Sequence, residues 1–334
     1  MSKLSMSPHI HSGMSTGGIM LDVIIALLPA TIAGTFIFGL RALAVIGVCV
    51  ASCVAYEVLF NLLAKKTQTV KDLSAVVTGL LLALNLPANI PLWQCAVGSL
   101  FAIVVVKCIF GGLGQNVVNP AIAARVFMLV AFASVAVAAD PVGHIGGVDA
   151  VAGATPLADN ATTPGLLTLA TGFHGGAIGE TCAIALLLGG IYLVVRRVIT
   201  WHNPVAFIGT VFVFTLLMEM NYAALAGDFH NLFAGDLNPL QLIADLGVVE
   251  ALSAVLCGGV MIGAIFMATD YVTSPPTPWG KIIFGIGCGL FTCLIRYFGS
   301  YPEGVSFAIL FMNILSPYIC HWTRHKVFGT RGDK

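Results

Sequence analysis

IMLDVIIALLPATIAGTFIFGL (Ile19–Leu40), a single arginine, and ALAVIGVCVASCVAYEVLFNLLA (Ala42–Ala64) decide the class of fold. Each run matches the ~20 apolar residues that cross a hydrocarbon core as a helix. Eight further candidate spans follow, at 72–86, 93–110, 119–139, 177–199, 203–221, 247–268, 281–299 and 303–320. The first of these eight is short, and Gly and Pro punctuate several boundaries. The composition agrees with a polytopic membrane protein. Of 334 residues, 58% are hydrophobic and only 9% charged, against roughly 25% charged in an average soluble domain. Mean hydropathy is +0.97. No soluble core hides that much apolar surface, so the usual length prior of two soluble domains does not apply. Zero net charge and few basic residues exclude a nucleic-acid partner and leave the lipid bilayer as the main surrounding.

Ten spans put both termini on one side. With the termini in the cytoplasm, thirteen of the fifteen Lys and Arg residues fall at cytoplasmic ends, and only Arg41 and Arg296 lie outside. Trp93, Trp201, Trp279 and Trp322 sit at predicted span ends, as an interfacial aromatic belt requires. The polar tail 1–18 lacks the basic-then-apolar pattern of a cleaved signal. The expected organisation is therefore a cytoplasmic tail 1–18, five spans in 19–139, an external loop 140–176, five spans in 177–320, and a cytoplasmic tail 321–334. The second external loop, 222–246, carries Asp228, Asp236 and Asp245 without Lys or Arg. The nine cysteines lie in or beside apolar segments with no C-x-x-C pair, and read as small apolar fillers. No histidine has ligand spacing, so no metal site is expected.

The halves echo one another. TGLLLALNLPANIPLW (Thr78–Trp93) leads through an apolar span to GGLGQNVVNP (Gly111–Pro120). In the second half, GAIFMATDYVTSPPTPWG (Gly263–Gly280) leads through another to GSYPEGVSFAILFMN (Gly299–Asn313). An odd number of spans per half makes such a repeat run in opposite directions. The expected fold is thus all-α, ten transmembrane helices in two inverted five-helix repeats with some helices broken. Broken helices in inverted repeats place free helix ends near a ligand. The plainer alternative is that Pro and Gly simply punctuate membrane loops.

Three stretches can carry chemistry. Asp149-Ala150-Val151-Ala152-Gly153-Ala154-Thr155-Pro156-Leu157 is a small-residue turn with an accessible hydroxyl, which another enzyme could modify. By itself it is equally a plain small-residue loop, and no general base beside Thr155 marks it as catalytic. Gly111-Gly112-Leu113-Gly114-Gln115-Asn116-Val117-Val118-Asn119-Pro120 offers amides that both donate and accept and glycines that admit close approach of a ligand to the backbone. The same residues also read as a capping loop, with Asn119 at the N-cap and Pro120 at the first helical position. Asp270 and Thr273, in Thr269–Pro278, lie at a helix break where a carboxylate binds a cation, hydrogen-bonds a ligand, or is solvated at the interface. Glu57, Glu180, Glu219, Lys107, Arg125 and Arg296 pose the same question less sharply. Lys107 and Arg125 flank the glycine loop, either serving an anionic ligand or snorkelling to the interface.

These stretches resemble the RnfD/NqrB family. GATPL (Gly153–Leu157), SPHI (Ser7–Ile10), GGLGQNVVNPAIAARVF (Gly111–Phe127), MATDYVTSPPTPWGKIIFG (Met267–Gly285) and YPEGVSFAILFMN (Tyr301–Asn313) carry the resemblance over nearly the whole chain. The last two stretches and the length favour the RnfD branch. The resemblance implies FMN joined by a phosphoester to Thr155, placed by a separate flavin transferase that reads a D-x-x-[ST]-G-A-T pattern. Asp149, Gly153, Ala154 and Thr155 fit that pattern. Ala152 departs from it, losing a hydroxyl and keeping the small volume. A second, non-covalent flavin (riboflavin or FMN) is implied near Gly112, Gly114, Asn116, Asn119, Arg125, Asp270 and Thr273.

The family's complex couples ferredoxin and NAD to sodium or proton movement in the bacterial cytoplasmic membrane. This chain would be its electron-carrying subunit, without an independent catalytic centre. Its implied partners are a second covalent-flavin subunit and iron–sulfur subunits. The rival expectation is a channel or transporter for a small polar solute, because the family's fold is similar to that of urea channels.

Overall fold

The structure, a computed structural model, describes residues 15–135, 138–141, 152–153, 165–225, 247–299 and 303–324. It is helical apart from two two-residue strands, β1 (Ala138–Ala139) and β2 (Ala152–Gly153). α1 (Thr16–Phe38) starts where Ser15 Oγ accepts the Gly18 N–H at 3.1 Å. Apart from Asp22, which accepts from Tyr192 Oη at 2.9 Å and from Arg196, it is almost wholly apolar, as a membrane-spanning helix is. Leu21, Ile25, Leu28, Ile32 and Phe36 face outward, while Ala26, Leu27, Ala30, Gly34 and Phe38 pack inward. Gly39, at φ +73°, breaks α1 from α2 (Leu40–Leu63).

Five helices are long and apolar enough to cross a membrane: α1, α2, α8 (His202–Leu225, its 202–219 part), α11 (Pro278–Phe298) and α12 (Val305–Trp322). A sixth candidate is the pair α9 (Val248–Leu256) and α10 (Val260–Met267), bent by 66° at its break. Four shorter apolar helices complete the series: α3 (Ser74–Leu84), α4 (Leu92–Cys108), α5 (Pro120–Ala131) and α7 (Ala183–Val195). Each expected apolar segment thus contains a helix, and the chain is a multi-pass membrane protein. A short helix, α6 (Leu166–Thr171), lies within the expected loop 140–176.

The short helices depart from the expected spans for physical reasons. α3 is buried on almost every side, from Ser74 to Leu84, so it is an internal element and needs no lipid-matching length. In the 119–139 run the α-helix ends at Ala131; Phe132 is extended, and a 3-10 turn, Ala133–Val135, precedes β1. In 177–199 the first residues are not helical. Their amides instead serve the free C-terminal end of α3, Ile178 N–H to Leu86 O at 3.1 Å and Gly179 N–H to Leu84 O at 2.7 Å. The ends of α4 and α10 both widen into π-type turns, with Ile109 N–H on Val104 O at 3.1 Å and Ala268 N–H on Gly263 O at 2.7 Å.

Small residues set the helix contacts, as expected where lipid removes the ordinary hydrophobic drive. A Cβ on Gly79 would stand 2.8 Å from the Val50 Cα, and one on Gly285 would stand 2.7 Å from the Asn203 carbonyl oxygen. These positions hold α3 against α2 and α11 against α8. Of the cysteines, Cys49, Cys53, Cys95, Cys108, Cys257, Cys288 and Cys293 are buried, consistent with apolar filling.

Candidate functional site

A cavity of about 330 Å³ opens where α1, α3, the π-type end of α4, the glycine loop, the start of α5 and the loop after α10 converge. Its walls carry Gly114, Asn116, Asn119 and Asp270, four residues drawn from two distant stretches of sequence. Met20, Val23, Leu81 and Phe266 supply much of its apolar lining. A mostly apolar concavity with a few convergent polar groups, in the 300–1,000 Å³ range, is the usual form of a small-molecule site.

Local chemistry fixes each polar wall. Asn119 accepts the Ala121 N–H at 3.0 Å and donates through Nδ2 to the Met267 carbonyl at 3.2 Å. The capping role therefore holds, and the same side chain ties α5 to the end of α10. Asn116 donates to Val118 O at 3.1 Å. Gly112 and Gly114 have φ of +102° and +86°, backbone that side-chain-bearing residues seldom adopt. Space is open beside Gly114, on the cavity wall. Thr273 Oγ1 donates to Asp270 Oδ2 at 3.2 Å, and Ser274 Oγ to Asp270 O at 2.6 Å, closing the loop around the carboxylate. Burial pushes the Asp270 carboxyl above its ordinary range, while the donors from Thr273, Val272, Asn116 and Tyr271 partly oppose that shift.

Lys107 and Ser74 also line the cavity. Lys107 Nζ lies 2.9 Å from Glu57 Oε1 and 2.8 Å from Ser74 Oγ. Thr69 Oγ1 donates to the same Glu57 oxygen at 2.6 Å, and Asn61 Nδ2 to Thr69 at 3.1 Å. The ammonium is thus a buried, fixed cation and does not snorkel outward. The sequence named Lys107 without locating its partner, since Glu57 lies 50 residues away.

Arg125 stands apart from this cavity. It is buried against Asn85, Glu180 and Glu303, with 2.7 Å from Nη1 to Glu180 Oε1. It is therefore neither a ring-side group of the cavity nor an interfacial anchor. Gly112 is likewise absent from the lining, and Thr273 acts through Asp270.

Of the Thr155 motif, only Ala152 and Gly153 are among the described residues; Asp149, Ala154 and Thr155 lie outside them. Gly153 pairs with Ala138, and Ala139 in turn bridges Gly176, with Gly176 N–H to Ala139 O at 3.1 Å. β1 thus lies between Ala152–Gly153 and the 172–182 segment, which also reaches Leu84, Leu86 and Arg125. His174 in this segment is buried, and burial lowers its proton affinity.

The amide-bearing wall at Asn116 and the unobstructed backbone at Gly114 are the features of the cavity that suit the polar edge of a planar ring. In sequence, residues 3–329 match the NQR2, RnfD, RnfE family. The chain is 44% identical to the D subunit of the Na(+)-translocating ferredoxin:NAD(+) oxidoreductase complex of Acetobacterium woodii, covering 98% of this chain and 95% of that one. It is 39% identical to the D subunit of the proton-translocating ferredoxin:NAD(+) oxidoreductase complex of Clostridium ljungdahlii, covering 98% and 96%. A third relative, the D subunit of the ion-translocating oxidoreductase complex of Halorhodospira halophila, is 34% identical over 98% of this chain and 96% of its own. The pattern of motifs, the helical membrane architecture and these matches lead to one assignment: the chain belongs to the NQR2, RnfD, RnfE family.

Proposed function

We propose that the chain is the membrane flavoprotein subunit of an ion-translocating ferredoxin:NAD oxidoreductase, carrying electrons between a non-covalent flavin in the 330 Å³ cavity and an FMN on Thr155. In this reading ten segments cross the bilayer in two inverted halves. Both termini and the cavity face the cytoplasm, and the Thr155 loop lies outside. The basic residues gathered on one side support that orientation. The names of the relatives support the ferredoxin:NAD oxidoreductase complex. A second covalent-flavin subunit and iron–sulfur subunits would complete its electron relay.

The cavity is the observation that carries the reading. Gly114 and Asn116 would hold the ring's polar edge, Met20, Val23 and Phe266 its apolar faces, and Asp270 would act as a hydrogen-bonding group at its rim. Lys107, held by Glu57 and Ser74, adds a fixed donor group to the wall. A bound flavin would supply one-electron redox chemistry; the protein orients it and keeps bulk water off. Thr155 contributes only its hydroxyl oxygen, as the anchor for the phosphate. Gly153, held by β1, fixes where that anchor leaves the folded body.

The test is ultraviolet-excited fluorescence of the denatured chain on a gel, from native membranes with an active flavin transferase, beside Thr155→Val. A flavin band lost in the variant supports the reading. No band in the wild type refutes the covalent flavin, and the solute-channel reading then takes precedence.

A further inference from the structure

The turn between α7 and α8 carries two successive arginines with different fates. Arg196 is committed to Asp22 on α1, with 3.2 Å from Nη2 to Oδ2. Arg197 has a left-handed backbone, φ +57°, uncommon for a residue with a side chain. It lines a second cavity of about 300 Å³. Lys281, at the start of α11, lines the same cavity and donates to Thr200 Oγ1 at 3.0 Å. Thr200 accepts there, so its own O–H is left to donate to a ligand. Among the described residues, no carboxylate pairs with Arg197 or Lys281. Asn203, at the start of α8, also lines the cavity, so two long helices begin beside it. Helix N-termini favour negative charge, and two unpaired cations with a hydroxyl donor suit an oxyanion.

Ile199 belongs both to this cavity and to an apolar groove of about 270 Å³ between α7 and α8. Leu187, Ile191, Val195 and Val205 line the groove, and all four are exposed, from 43% to 73%. Gly190 and Ile265 meet within it, where a Cβ on Gly190 would stand 3.0 Å from Ile265 Cγ2. Trp201, next to Thr200, completes the lining and stacks on His202 with ring centroids 4.3 Å apart. Such a ring belongs at the level of lipid headgroups. The surface therefore runs from an apolar groove, past an interfacial tryptophan, to a pair of unpaired cations.

We propose that this surface binds one anionic phospholipid, its phosphate between Arg197 and Lys281 and an acyl chain in the α7–α8 groove. Basic residues at the membrane surface attract anionic headgroups, and the groove offers the chain an apolar seat. A partner helix would fill the groove without answering the two cations. A free phosphate, or the phosphate of a cofactor, would answer the cations without filling the groove. A phospholipid does both. The site borders the 330 Å³ cavity through Val198, Ile199, Thr269 and Tyr271, which line both.

The test is native mass spectrometry of the intact complex, stripped of lipid in detergent and titrated with phosphatidylglycerol or phosphatidylcholine. Wild type should retain phosphatidylglycerol at concentrations where phosphatidylcholine is not held; equal retention of the two overturns the site. Arg197→Gln/Lys281→Gln should weaken the binding of one phosphatidylglycerol roughly 20–30-fold, the combined worth of two basic residues beside an anionic headgroup. Ile191→Trp, which fills the groove, should weaken the same binding event by a comparable factor. Arg196→Gln removes the neighbouring charge outside the cavity and should leave it unchanged. Binding that survives the paired substitution, or that falls equally in Arg196→Gln, overturns the site. Binding lost with the cations but unchanged in Ile191→Trp reveals a site for phosphate alone and overturns the lipid. Loss of a phosphate-bearing cofactor from the paired variant, or of a partner subunit from Ile191→Trp, with lipid uptake intact, also overturns it. Where the paired variant fails to assemble, Arg197→Gln alone, at an exposed position, reads the loss at roughly fivefold. No arm depends on a flavin being bound.

Discussion

Lys107→Met tests whether the cavity wall is an energetically coupled unit. The Lys107–Glu57 contact is 2.9 Å with both side chains 3% exposed. At an effective dielectric near 20, charges at that separation attract by about 6 kcal/mol. Desolvating both ions consumes much of that gain, so the pair itself contributes little net stability. Removing one member is different. It leaves Glu57 charged and buried, with Thr69 as its remaining side-chain donor, and costs about 3–5 kcal/mol. Glu57→Leu should cost a similar amount by stranding the ammonium on Ser74. The double variant Lys107→Met/Glu57→Leu removes both charges and should lose no more than either single change. The assay is unfolding in mixed detergent micelles followed by tryptophan fluorescence, arranged as a double-mutant cycle. A Lys107→Met cost below about 1 kcal/mol, or a double variant equal to the sum of the singles, would show that the wall is not coupled in this way.

Three further outcomes follow from the geometry. The Asp270 carboxyl is held above its ordinary range by burial, so the folded state binds its proton more tightly than the unfolded chain. Stability should therefore fall as pH rises from the usual carboxylate range through the raised folded value. Asp270→Asn should flatten that part of the pH–stability curve, and an unchanged slope would contradict the assignment. His174 has the opposite sign of linkage: its lowered proton affinity means stability is lost as pH falls below the ordinary histidine range. His174→Gln should remove that acid sensitivity in thermal-shift measurements. Gly285→Val forces a side chain onto the Asn203 carbonyl, 2.7 Å from the new Cβ. It should destabilise the α8–α11 pair by about 1–3 kcal/mol in the same micelle assay, and a neutral result would show that the helices separate freely.

What was legible in the sequence was set by local physics. Ile19–Leu40 and Ala42–Ala64 were readable because a lipid-facing helix must be apolar over its full length, whatever it packs against. Asn119-Pro120 was readable as a cap for the same local reason. The lengths of α3, α5 and α7 were not, because burial inside the bundle or an amide donated to another helix end decides them. Arg125 shows the limit most clearly. Beside a glycine loop it looks like an interfacial anchor, yet its partners lie 55 and 178 residues away. Gly114, Asn116, Asn119 and Asp270 were each singled out by residue type. Only folding shows that the first three meet the last on one cavity wall, with Lys107 beside them.

Electron transfer through this chain, as proposed, turns on a second flavin occupying the cavity. Val272 lines it and is 37% exposed, so Val272→Trp fills the space from a loop that tolerates the bulk. The deciding quantity is solvent-extractable flavin in the purified complex, normalised to covalently held flavin, for wild type and Val272→Trp, with Val117→Trp outside the cavity as control. An occupied cavity predicts an extractable flavin in wild type and the control that is largely lost in Val272→Trp. Equal extractable flavin in all three would contradict it.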